Sequence, residues 1–271
     1  MGNIIQFAAF GELKQEVEML RVELSMRILE YDTIERVECK NIEMQYILEF
    51  SSRIYKVQEL QIKYLRLKRE LELIQTKINR QERINIQAIN TLLDEEMTEY
   101  KEKLNEFVGK MNQAVERKSN LIEFNDEQIA EQKKLYRKII RALHPDLHPD
   151  ATPEQTKLLS TAIYYYETGN IEGLNTIAKM VDDSLDIDEN SLDAMSLLTK
   201  EKKQLLAMLQ RVQEKIEQIK SIPPYNLKIY LEDDDRKLQK KQELDSLKEQ
   251  YLSAISVYQS QLAKLREKHK L

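Results

Sequence analysis

The stretch KKLYRKIIRALHPDLHPDAT, residues 133–152, decides how this chain folds. Residues 133–143 put apolar side chains on one side of a helix and cations on the other. At 100° per residue, Lys134, Arg137, Lys138 and Arg141 fall within about 100° of arc. Leu135, Tyr136, Ile139, Ile140, Ala142 and Leu143 fill the opposite side. Lys133 through Arg141 carry five positive charges and no negative one. His144 precedes Pro145, and a residue before proline is pushed out of helical geometry, so the helix must end near Leu143. Pro149 repeats the constraint. Residues 144–152 are therefore expected to form a loop with few internal hydrogen bonds.

The chain on either side is punctuated for helices. Asn125 or Asp126 is placed to cap the start of the basic helix. Thr152, Pro153 and Gln155 form a capping box with proline at the first helical position, which predicts a helix over about 153–167. Gly169 suits a left-handed terminus, and Asn170 caps a further short helix. Leu158, Leu159, Ala162, Ile163 and Tyr166 should pack back on Leu135, Ile139 and Leu143. The expected product is a helical hairpin with its loop at the tip and the basic face beside it. Residues 181–191, VDDSLDIDENS, read as an acidic loop.

Further out, long helices are expected throughout, and the fold class is all-α. The 271 residues include five glycines, five prolines and no tryptophan, and 33% are charged. Few breakers and many charges are the profile of long, coiled-coil-like helices. All the prolines lie at 145, 149, 153, 223 and 224. Apolar steps of four and three recur at Leu13, Val17, Leu20 and Leu24, and again from Leu60 through Ile78. A second stripe runs through Leu93, Met97, Tyr100, Leu104, Phe107, Met111, Ala114 and Leu121. Two more follow, from Leu205 to Ile219 and from Leu244 to Leu265. A break is expected within Asn79–Gln87. The segments are then 1–87, 88–124, the small module 125–183, 184–222 and 223–271. Helix 191–220 is expected to return antiparallel along 88–122, and the stripes call for a folded-back stalk or a homodimer.

Composition narrows the function. Acidic residues number 47 and basic ones 42, for a net charge of −5 with the signs interspersed. That leaves no footprint for nucleic acid or an anionic membrane. Cys39 is the single cysteine, so no internal disulfide forms, and a cytoplasmic setting is the natural expectation. No apolar run approaches the ~20 residues of a membrane span, and the first residues do not resemble a signal peptide. No nucleophile motif or phosphate-cradling glycine loop occurs, so no enzyme activity and no cofactor are expected. His144, Asp146, His148 and Asp150 offer nitrogen and oxygen ligands to a metal. That reading is the weaker one, because two prolines stiffen the loop and a ligand from elsewhere would be needed.

Residues 126–170 resemble the second helix, His-Pro-Asp loop and third helix of the J domain, the DnaJ-type co-chaperone module. Tyr136, Arg137, Lys138, Leu143, His144, Pro145 and Asp146 stand in the family's register without a gap. The family's first-helix Tyr-Tyr-x-x-Leu-Gly-Val stretch is absent upstream, so Lys118 to Phe124 would have to supply that packing. Leu147 stands where the family commonly carries a base. The resemblance implies docking on a DnaK-type ATPase chaperone, and stimulation of its ATP hydrolysis. The implied contact residues are Lys134, Tyr136, Arg137, Lys138, Arg141, His144, Pro145 and Asp146. The long helices would then bind a client protein or scaffold. Asp146 would accept a bond from a partner arginine. His148-Pro149-Asp150 comes one step too late for the register and reads as loop scaffolding. The competing reading is a structural coiled-coil adaptor that keeps a degenerate J fold. Docking requires His144, Asp146, Lys134, Arg137 and Arg141 to be open to solvent.

Overall fold

The computed structural model describes residues 2–120, 124–181 and 194–269. They fold as helices: α1 (Gly2–Thr33), a π-helical turn (Ile34–Glu38), α2 (Cys39–Asn79), α3 (Ile86–Glu96), α4 (Thr98–Ser119), α5 (Asp126–Leu143), α6 (Pro153–Thr168) and α7 (Ile171–Met180). Then come α8 (Ala194–Ser221), a 3-10 turn (Tyr225–Lys228), α9 (Ile229–Glu232) and α10 (Asp234–His269). The chain is all-α, with no strand among the described residues. No described helix is long and apolar enough to cross a membrane.

The caps stand where the local chemistry puts them. The Asn125 side chain accepts from Gln128 N, and the Gln128 side chain accepts from Asn125 N. Thr152 and Gln155 make the same reciprocal pair at α6. Each satisfies two backbone donors that a helix start otherwise leaves free. Gly169 closes α6 at φ 73, a left-handed conformation that costs a side-chain-bearing residue. The Phe124 ring lies over it, within 2.5 Å of where a Cβ would stand. The break expected in 79–87 is present, as α2 ends at Asn79 and Asn85 caps α3.

The chain divides into two units, Met1–Asn41 with Leu121–Asn226, and Ile42–Asn120 with Leu227–Leu271. The five linear segments of the sequence therefore regroup, and the long N-terminal segment 1–87 contributes to both units. In the first unit α8 packs on α1, which corrects the expected pairing of 191–220 with 88–122. The ion pairs Glu16–Lys202 and Glu30–Lys220 rise together in both numbers, so α1 and α8 run in the same direction. Val17, Leu24 and Ile28 of α1 and Leu198, Leu205, Val212 and Ile216 of α8 share one core with α5, α6 and α7. Burying such side chains is worth about 1.5–3 kcal/mol each. The module 125–183 therefore does not close its core alone. α1 packs on α5, the helix that Lys118 to Phe124 were expected to cover. Residues 121–123, including Leu121 of the stripe, and nearly all of the acidic loop lie outside the described residues.

In the second unit α10 runs in the same direction as α2 within this unit, through Glu49–Lys241, Arg53–Asp245 and Glu70–Arg266. The α3–α4 arm returns antiparallel to α2: Ile74 packs with Ile89, and Met44 and Ile47 with Ala114. The buried stripe residues of this unit thus pack on one another within it. Tyr100 departs from its stripe and stays exposed. On α10 Leu244, Ile255 and Leu262 are buried.

Candidate functional site

α5 is the centre of the first unit. Its apolar arc puts Tyr136, Ile139, Ile140 and Leu143 in the core, with the first three fully buried. Tyr136 and Tyr166 stack with ring centroids 4.2 Å apart and planes 9° from parallel. The Tyr136 hydroxyl donates to Asp32 Oδ2 at 2.7 Å. Asp32 comes from the last turn of α1 and is itself buried. Burial pushes its carboxyl above the ordinary 3.8, against the bond from Tyr136 and the charge of Arg36. Burial, and then Asp32, also raise the Tyr136 hydroxyl above its ordinary range. Tyr136 therefore stays a neutral donor and Asp32 the acceptor.

Around this pair the polar groups are matched. Thr33 Oγ1 and the Tyr166 hydroxyl share a hydrogen bond at 2.8 Å. Gln132 Nε2 donates to the Tyr166 carbonyl at 2.7 Å. Arg36, in the π turn, and Lys40 both donate to Glu167 at 2.8 and 2.9 Å. Burial opposes the charge on Glu167, but these two bonds overcome it and hold the carboxyl below its usual value. The π turn shifts the register of everything after it by inserting a residue. It places Ile34 in the core and Arg36 towards Glu167. No composition signal announced it.

The loop after α5 is more structured than its two prolines suggested. His144 N closes α5 on Ile140 O, and His144 O accepts from both Leu147 N and His148 N. Ala151 N bonds to His148 O. His148 Nε2 lies 2.7 Å from the Arg141 carbonyl, and a ring N–H there donates to an otherwise free helix-end acceptor. The second His-Pro-Asp is thus scaffolding for the first. His144 Nδ1 accepts from Asp146 N at 3.2 Å, so its other nitrogen carries the proton in the neutral ring. Burial holds His144 below 6.5; Asp146 and Asp32 oppose this, while Lys215 and His148 add to it. No cluster of three or more His, Cys, Asp or Glu side chains able to hold a metal occurs among the described residues.

Comparison with protein families, with curated proteins and with solved structures finds no match. The site rests on its own geometry.

The eight residues that the resemblance implied for docking divide by exposure. Lys134, Arg137, Lys138 and Pro145 are exposed, and the Asp146 side chain is 45% open. With Lys133, the three exposed cations have no hydrogen bond or ion pair among the described residues. Arg141 is partly open and pairs with Glu18 of α1. His144 is 23% open. Tyr136 is closed, which corrects its placement among contact residues: its ring and hydroxyl are committed to Tyr166 and Asp32. Sequence reasoning missed Asp32, Thr33, Arg36 and Gln132. Asp32 carried a signal, since it stands four residues after Ile28 on the apolar stripe of α1.

Proposed function

We propose that this protein is a J-domain-like co-chaperone that docks on a DnaK-type ATPase chaperone through α5 and the His144–Asp146 loop, and so stimulates ATP hydrolysis. The observation that carries the reading is the row of cations on the solvent side of α5, unpaired among the described residues and ending at Pro145 and Asp146. Folded proteins usually intersperse charges of both signs, and a row of one sign steers an acidic partner. The bonded loop would lose little entropy on docking. Asp146 presents a carboxylate to a partner cation. The paired helices would hold a client or scaffold, in a soluble cytoplasmic setting. This role needs no cofactor, nucleic acid or membrane.

A second reading, a structural helical adaptor with a degenerate J fold, is favoured by three specific observations. Tyr136 is internal, His144 is largely enclosed and Arg141 is already paired. A binding titration against the ATP-bound chaperone from the same organism separates the two. Docking predicts salt-sensitive binding that Lys134→Glu/Arg137→Glu/Lys138→Glu abolishes without changing the melting temperature. No binding by wild type, or binding that ignores both salt and the triple change, supports the adaptor.

A further inference from the structure

The five cations of residues 133–141 are not equivalent. Lys133, Lys134, Arg137 and Lys138 are exposed and unpaired among the described residues. Arg141, nearest the loop, is held by Glu18, 123 residues away in sequence. The charged neighbours of Glu18 on α1 face elsewhere, as Glu16 pairs with Lys202 and Arg21 with Glu201 on α8. Among the described residues, Glu18 is the α1 carboxylate that forms an ion pair with the cationic row.

Resting on the docking reading above, we propose that Glu18 occupies the position of a partner carboxylate at Arg141, so that docking at the loop end of α5 exchanges one carboxylate for another. Both side chains are partly open, 36% for Arg141 and 44% for Glu18, so neither is trapped. A pair this exposed is weak, and its release leaves no buried charge behind. An acidic partner competes with Glu18 for Arg141, whereas Lys134, Arg137 and Lys138 are available at once. Affinity is thereby held down at the residue nearest His144–Asp146, and any interaction that draws α1 away from α5 would raise it.

The test uses the full chain as stimulator of the same organism's DnaK-type ATPase, titrated at two salt concentrations. Glu18→Gln is expected to lower the half-maximal concentration about two- to five-fold, the span that an exposed ion pair allows. It should also steepen the salt dependence, because docking then gains an ion pair instead of exchanging one. Glu16→Gln removes an equal charge from the same helix and should change neither. Adding Arg141→Gln should cancel the gain. Wild-type stimulation with no gain in Glu18→Gln, an equal gain in Glu16→Gln, or a gain that survives Arg141→Gln overturns this inference alone. Absence of stimulation by wild type and every variant overturns the docking reading, and the inference with it.

Discussion

Replacing Tyr136 by Phe removes one oxygen and keeps the ring. The stack on Tyr166 and the apolar packing of α5 survive, so the effect isolates the bond to Asp32. Asp32 is only 8% exposed, and its other hydrogen bond, from Arg36 Nε, is long at 3.5 Å. A hydrogen bond to a charged group is worth about 1.5–3 kcal/mol, and a buried acceptor left unmatched sits at the upper end. The expected loss is therefore about 2–3 kcal/mol at neutral pH, read by urea unfolding. The loss should depend on pH. Burial raises the folded pKa of Asp32 above 3.8, so its ionisation costs stability as pH rises past that value. The Tyr136 bond lowers this cost, and the Phe variant restores it. The deficit should thus be largest at neutral pH and should shrink as pH falls and Asp32 takes up its proton. Asp32→Asn in the Phe background should recover part of it. A deficit below about 0.5 kcal/mol at neutral pH, within the range of an ordinary surface change, would refute the reasoning. So would a deficit that does not vary with pH.

Other outcomes follow from the same contacts. His144 is held below 6.5 in the folded state, so stability should fall as pH drops through the range below that value, by at most ~1.4 kcal/mol per pH unit. His144→Gln should flatten that slope in paired unfolding series. Gly169→Ala places a Cβ at φ 73 against the Phe124 ring and should cost at least about 1 kcal/mol in a thermal melt. Gly109→Ala lies within α4 with open space at its Cβ and should instead stabilise by about 0.5–1 kcal/mol. Thr152→Ala removes one half of a capping box and should cost about 1 kcal/mol.

What the sequence made legible is local. Caps at Asn125 and Thr152, the left-handed Gly169 and the end of α5 before Pro145 all depend on residues within a few positions of one another. The stripe residues Val17, Leu24, Leu205, Val212 and Ile216 are buried as their spacing predicts. Which stripe meets which is not local. That α8 lies along α1 follows from matching two surfaces about 180 residues apart, as in Arg21–Glu201, and periodicity carries no such address. The π turn escaped for a related reason, because one inserted residue changes register without changing composition. Tyr136 is instructive at the site. Its place on the apolar arc put it inside, whereas its match to a family register put it among docking residues, and the arc was the better guide. The role of Glu18 at Arg141 was hidden because a glutamate on a charged helix face has no distinguishing mark until α1 is set beside α5.

The most direct test of the account is single-turnover ATP hydrolysis by the same organism's DnaK-type chaperone, with and without this protein. Asp146 is half open, and among the described residues its side chain accepts no hydrogen bond and approaches only His144, at 3.9 Å, so Asp146→Asn leaves the fold in place and removes the charge offered to the partner. The account predicts a salt-sensitive acceleration by wild type that Asp146→Asn reduces at least tenfold at unchanged melting temperature, as expected when a charge-assisted contact worth about 1.4 kcal/mol or more is lost. Hydrolysis that stays at the unstimulated rate with wild-type protein, or that Asp146→Asn accelerates equally well, would contradict it.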